Sequence, residues 1–558
     1  MKSLCKPSMK WLGIPRFNYR VILLVLLLHP FYLLAHIGSP GIIMQTQAGP
    51  YQLMVTIEPP DVIPGVAKIM VLAQSEGLQQ VSARAVYYRT GGKGAPEPDK
   101  LVAVANAPGQ FSGEVWMMAT GSGSVQLQLN GTQGNAEIVV PVVAVSTATR
   151  VMPAQTTFLL LALGAFLVVL FITIFGKAMA DALIPSGNPI SSVNKRKLGY
   201  AVGTLLMVSI LWGGKTWWNS WANDYKRHMY KPMQATSQIV HTDSGALLLF
   251  TIDTTHAQRA SMLSYLVPDH GKWMHLFLVR MPGMDVFAHI HPQRIDTATY
   301  QALLPPLPPG KYQIFADIVY LTSFTETISD TLVIPHAIST PVNGLPYDDG
   351  MAKTLPVTVV DAPAIGEEQT DLLVCGKPGQ GIKLPGGRTM VWQQPEQEGY
   401  LAGRLYTLHF NLLDAAGKPA VIQSYMGMTG HAVVMRHDAQ VYTHLHPVGT
   451  FSQAAIHRFT ERIADTAAIF QLPDRTQFRD SMTAYLQWLN ELPHAGREAL
   501  LMQGMDHTNM QMDANGNMEH ESMVSFPYMF PATGRYRIWV QVRHQGTLVT
   551  GSFDCLVR

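Results

Sequence analysis

Two short segments, Val286-Phe-Ala-His289-Ile-His291-Pro292 and Val441-Tyr-Thr-His444-Leu-His446-Pro447, each place two imidazoles two residues apart. On a strand, residues i and i+2 project from one face, separated by about 6.7 Å along the chain. His289 with His291, and His444 with His446, can therefore share a metal ion. Imidazole suits copper, zinc, iron or nickel. His275 and His431 each begin the preceding apolar run, 14 and 13 residues before the first histidine of the pair. A hairpin of that length returns each beside its pair, so the expected ligand sets are His275/His289/His291 and His431/His444/His446.

Sulfur adds selectivity. Tyr425-Met426-Gly427-Met428 stands just before His431, and His270 and Met274 precede His275. The thioether is a soft ligand that favours Cu(I) over zinc, calcium or magnesium. Residues 502–523 add Met505, Met510, Met512 and Met518, with His507 and His520, in a segment rich in Asn, Asp and Gln. No helical period organises these methionines. Methionine in a polar loop leaves apolar area exposed, so the segment is read as a flexible Cu(I)-collecting loop. The competing reading is a loop whose methionines pack on a partner or a membrane surface.

The elements that must position these residues form an internal repeat. His275-Leu-Phe-Leu-Val-Arg and His431-Ala-Val-Val-Met-Arg each lead through a turn to a His pair, and each copy later closes with a hairpin strand. Those strands contain Pro309-Gly-Lys-Tyr312-Gln-Ile-Phe-Ala-Asp317 and Gly534-Arg-Tyr536-Arg-Ile-Trp-Val-Gln541. Two related β-domains are expected over 236–336 and 385–558, the second with a helical insertion around Phe459–Leu492. Residues 45–150 hold short alternating runs separated by Gly, Pro and Asn, the pattern of a further β-sandwich. That stretch has no His.

Three apolar segments predict transmembrane helices over 21–37, 156–175 and 198–214. The first follows Lys2, Lys6, Lys10, Arg16 and Arg20, a basic flank that stays in the cytoplasm. It suits either a signal anchor or a signal sequence. The loop 176–197 bears Lys177, Lys195, Arg196 and Lys197 and is expected to be cytoplasmic, placing the β-domains in the periplasm of a bacterial inner membrane. Trp217, Trp218 and Trp221 are expected at headgroup level after the last span. Gly199 and Gly203 form a GxxxG helix-packing signal.

Composition narrows the remaining classes. A formal net charge of +2 over 558 residues argues against a nucleic-acid partner. Three cysteines exclude a disulfide-stapled miniature and a Cys-rich zinc or iron–sulfur site. Beyond Cys5, Cys375 and Cys555 either pair or stand as two separate buried thiols. There is no Walker A loop and no HExxH. Asp317 and Glu326 lack a partnered general base, and acids in β-domains usually lie on solvated faces. The chain is read as a binding protein, not an enzyme. A zinc- or copper-dependent enzyme and a non-metal scaffold with structural histidines are the competing readings.

The segment GPYQLMVTIEPP with GEVWMMATGSGSVQLQL resembles the FixH-like/YtkA-like membrane-anchored β-sandwich modules, associated with assembly of copper-containing haem oxidases. The segments HLFLVR, FAHIHP, VYTHLHP and SFPYMFPATGRYRIWVQV are similar to bacterial membrane proteins of unknown function that carry such modules. The resemblance implies membrane-anchored β-sandwich modules, and with the strand and apolar patterns above the expected fold is mainly β, with multiple extracytoplasmic immunoglobulin-like β-sandwich domains and three transmembrane helices. Together with the histidines and methionines it points to a copper ion, Cu(I) or Cu(II), as ligand and to a copper protein or respiratory oxidase as partner, and it carries over no reaction.

Overall fold

A computed structural model describes residues 41–181, 193–255, 259–339, 351–354, 375–394, 399–465, 469–502, 511–512 and 518–558. The chain is mainly β, and among the described residues its strands gather into six sheets. In the first domain, strands Ile42–Ala48, Tyr51–Glu58, Gly65–Ala73, Gln110–Met117 and Val102–Ala103 form one sheet. Leu78–Tyr87, Gly121–Gly131, Gly134–Ala144 and the short Asp99–Lys100 form the other. Alternate residues turn inward, so Leu53, Val55 and Ile57 pack with Val81, Leu127 and Val140 from the facing sheet.

Each His-bearing repeat is built from two sheets in the same way. In the first, Ala235–Thr242, Gly245–Ile252 and Thr299–Leu303 pack over a sheet containing His275–Met281, Val286–Ile290, Gly310–Tyr320 and Thr325–Ile334. In the second, Thr389–Trp392, Leu405–Leu413 and Met523–Met529 pack over His431–Arg436, Tyr442–Leu445, Gly534–His544 and Thr547–Val557. Leu276, Leu278 and Ile290 enter the first repeat's core. Ala432, Val434 and Leu445 take the matching places in the second.

The opposite faces of these two His-bearing sheets meet each other. Phe277, Val279, Phe287 and Phe315 from the first repeat and Val433, Met435, Tyr442 and Trp539 from the second share one apolar cluster. Phe315 stacks on Tyr442 with ring centroids 4.0 Å apart, and Phe287 stacks on Trp539 at 4.9 Å. These two contacts are the same contact with the repeats exchanged. The repeats are therefore related by a local two-fold axis. Arg537, fully buried, donates to the Met284 carbonyl across the interface at 2.7 Å and pairs with Asp554.

The insertion comprises helices Gln453–Ala464, Arg475–Glu491 and His494–Leu501. Ser452 and Asp474 cap the first two by accepting from backbone N–H groups at 3.2 and 2.9 Å. Phe459 and Phe470 pack edge-on against Tyr88 of the first domain. Leu486 and Leu489 join the first repeat's core. The insertion thus ties three β-domains together.

Two helices among the described residues, Ala154–Asp181 and Val193–His228, are long and apolar enough to cross a membrane, against the three expected. The segment expected over 21–37 lies outside the described residues. The second helix overruns the expected 198–214: it continues through Trp217, Trp218 and Trp221 and stops before Pro232, since nothing earlier removes a backbone donor. At 36 residues it is about 54 Å long, exceeding a hydrocarbon core of about 30 Å. Gly199 and Gly203 are buried against Gly176 and Phe175 of the first helix, so the glycine pair marks the contact between them. Cys375 and Cys555 are not joined by a disulfide.

Candidate metal centre

Strand pairing sets the histidines. Phe277 lies opposite His289, and Val433 opposite His444. Continuing each register by one pair on the same face sets His275 opposite His291 and His431 opposite His446. On the other side of the central strand, His275 pairs with Asp317 and His431 with Gln541. All these side chains leave the face that meets the other repeat. The two sets therefore come together around the local two-fold axis.

His275, His289 and His291 form one close set, with ligand atoms all within 4.8 Å of one another. His275 Nδ1 is 3.2 Å from His289 Nε2, which is 3.1 Å from His291 Nε2. The outer nitrogens fix the tautomers. His275 Nε2–H donates to the Asp269 carbonyl at 3.2 Å, and His289 Nδ1–H donates to Gln541 Oε1 at 2.8 Å. Gln541 presents that oxygen because its amide nitrogen donates to Thr550 Oγ1. The facing His275 Nδ1 and His289 Nε2 then both carry lone pairs. Two lone pairs at 3.2 Å repel unless a cation lies between them.

A proton is poorly suited to that role. Burial holds His275 and His289 well below the ordinary imidazole pKa, and the neighbouring rings push further in the same direction. His431 and His446 are held down for the same two reasons, and His270 is lowered chiefly by burial.

The second close set is His270, His431 and His446. Its third member differs from the expected His444. Ring centroids are 5.5 Å apart for His270 and His431, 4.9 Å for His270 and His446, and 5.2 Å for His431 and His446. His446 donates through Nδ1 to the Phe451 carbonyl at 2.9 Å. Its Nε2, both nitrogens of His431 and the Nε2 of His270 and His444 have no hydrogen-bond partner among the described residues. Leaving such a buried group unmade costs on the order of 1–3 kcal/mol, so a cluster of them calls for a ligand.

His444 remains beside the set, 4.5 Å from the His446 ring, but its Nδ1 turns to Asp317 Oδ2 at 3.4 Å. That carboxylate also accepts from Tyr442 and Thr327 hydroxyls at 3.2 and 2.6 Å. His444–Asp317 and His289–Gln541 are again one contact with the repeats exchanged. An outer partner of this kind orients an imidazole for a metal.

His270 is the residue that sequence reasoning passed over as a ligand. Its signal was positional: it stands five residues before His275, as Met426 stands five before His431. Asp317 and Glu326 also depart from the solvated faces expected of them. Glu326 is buried away from the cluster, accepting from Arg259, Tyr230, Tyr320 and the Met233 N–H, and so fastens the segment after the long helix to the first repeat.

Met426 and Met428 are both buried in the turn before His431. Met505, His507 and Met510 lie outside the described residues. Met512 and Met518 stand on paired strands, Gln511–Met512 and Met518–His520, and His520 lies opposite Ile422. The loop's departure point is Met502, at the end of the helix whose Glu498 carboxylate accepts from the Ser424 hydroxyl at 2.5 Å and the Gly427 N–H at 2.8 Å. Both ends of the Met-rich segment thus adjoin the turn 424–428.

Among protein families, a domain of unknown function (DUF8832) matches residues 389–473, which include His431, His444 and His446. No curated protein matches. Similar solved structures include the ICAM-5 D1–D4 ectodomain fragment, 5% identical, with 91% of this chain and 77% of that one covered and a TM-score of 0.14. Dimeric latent PorU from Porphyromonas gingivalis is 8% identical, with coverage of 93% and 34% and a TM-score of 0.12. A Salmonella alpha-2-macroglobulin variant is 10% identical, with coverage of 91% and 33% and a TM-score of 0.13. The chain spans about a third of the length of the last two.

Proposed function

We propose that this chain is a membrane-anchored periplasmic copper-binding protein that holds two ions between its tandem β-domains. It would serve copper delivery, copper tolerance or maturation of a copper-containing oxidase. The observation that carries the reading is the convergence of lone pairs at His275 Nδ1 and His289 Nε2, 3.2 Å apart, with their tautomers fixed from outside. Nitrogens bound to one ion at about 2.0–2.1 Å stand at that separation. Copper is favoured over zinc by Met426 and Met428 in the turn before His431 and by the Met-rich run 502–523, since thioethers select Cu(I).

The wider parts of the reading follow the same line. The Met-rich segment would collect Cu(I) and pass it to the turn 424–428 beside its ends. The three sandwiches are read as immunoglobulin-like, residues 45–150 as a FixH-like/YtkA-like module, and 21–37 as a further span. The basic residues before 21 and within 176–197 support an extracytoplasmic location for the β-domains.

The test is the metal content of the full chain purified in detergent after copper exposure. About two tightly held ions are expected outside the Met-rich loop. His289→Ala with His291→Ala should remove one of them and leave the circular dichroism of the β-domains intact. If the parent retains no metal and the double variant unfolds, the histidines are core residues and the scaffold reading stands.

A further inference from the structure

The turn before each His-bearing strand is built identically in the two repeats. Asp269 and Lys272 exchange backbone hydrogen bonds at 2.9 Å each, and Tyr425 and Met428 do so at 2.7 and 3.2 Å. His270 and Met426 occupy the same left-handed position, with φ of 50° and 52°. Gly271 and Gly427 follow at 74° and 76°, where a side chain would be strained. Both glycines also lie under Leu501 of the insertion, so one helix covers both turns.

His270 does not serve its own repeat's close set. It reaches across to His431 and His446. Two other contacts, Phe287–Trp539 and His289–Gln541, have exchanged counterparts in Tyr442–Phe315 and His444–Asp317. The axis that relates these pairs carries His270 onto Met426 and His431/His446 onto His275/His291. Met426 is 1% exposed, at least as buried as the His270 whose place it takes under that axis.

We infer that Met426 completes the opposite repeat's centre, so that the His275/His289/His291 site has a thioether ligand where the His270/His431/His446 site has an imidazole. This rests on the copper reading above. It makes the two centres chemically unequal. The thioether-bearing centre prefers Cu(I), and the all-imidazole centre also accommodates Cu(II). A soft and a borderline site side by side suit a protein that accepts reduced copper and holds it under oxidising conditions.

The experiment uses the full chain with Met505, Met510, Met512 and Met518 changed to Leu, loaded with Cu(I) and examined by X-ray absorption at the copper edge. Sulfur should remain in the coordination shell at roughly one atom for two bound ions. Met426→Leu should remove that sulfur and weaken Cu(I) at one of the two sites by about tenfold or more. Met426→His should remove the sulfur while restoring tight binding of both ions. Sulfur that persists in Met426→Leu, or a parent whose two ions show nitrogen alone, overturns the inference and leaves the copper reading standing. A parent that binds no copper overturns both.

Discussion

At the scale of single residues, five imidazoles of the cluster are buried so deeply that protonating them is disfavoured. This makes a prediction about the metal-free protein. His270, His275, His289, His431 and His446 have folded-state pKa values below the ordinary 6.5, with burial as the leading cause in each case. The unfolded chain binds protons at these positions below about pH 6.5, while the folded chain does not. Their contribution is therefore fully present above pH 6.5 and is lost as the pH falls below it, towards the depressed folded values. Each imidazole should cost roughly 1–1.5 kcal/mol per pH unit in that window. Denaturant titration of the metal-free chain should show a midpoint that falls steeply as the pH drops below about 6.5, and less steeply for His275→Leu with His289→Leu. A midpoint equally insensitive to pH in both proteins would mean that the imidazoles are solvated in solution.

At the scale of elements, the His-bearing sheets are buried on both faces, one against their own repeat's core and the other against each other. Trp539 is 1% exposed and stacks on Phe287 across that interface. Trp539→Ala should destabilise the chain by about 3–5 kcal/mol. It should also weaken metal retention at both centres, because one joins His270 to His431 and His446 and the other has His289 oriented by Gln541 of the facing repeat. Copper retention equal to the parent's, measured beside the unfolding midpoint, would show that the centres form without this contact. Much of this arrangement was legible. The repeat, the hairpins and the same-face placement of His289 with His291 follow from period-two geometry. The unbroken apolar runs in His275-Leu-Phe-Leu-Val and His431-Ala-Val-Val-Met also signalled burial on both faces, although they were read only as strands. Which surface covered the second face was not legible, because it depends on Phe287 meeting Trp539 and Phe315 meeting Tyr442, residues up to 252 positions apart. His270 was hidden for that reason: a ligand that crosses between domains leaves no local spacing to its partners.

At the scale of the whole molecule, the long helices, the first β-domain and the helical insertion all fasten the tandem pair. The first domain's strand Ile42–Ala48 exchanges backbone hydrogen bonds with the second repeat, Gln45 N–H to the Val448 carbonyl at 2.8 Å and Thr450 N–H to the Ile43 carbonyl at 3.0 Å. This contact lies just beyond His446, so the first domain braces the loop that carries the second His pair. Composition indicated the two long apolar helices, but the length of the second was not legible, because the Trp cluster that suggested its end is compatible with helix. Whether metal sits between the repeats is decided by diffraction from copper-loaded crystals of the full chain at energies on either side of the copper absorption edge. Two anomalous peaks should lie on the local two-fold arrangement, one bounded by His275, His289 and His291 and the other by His270, His431 and His446. Copper found only along residues 502–523, with no peak between the repeats, would contradict metal binding there.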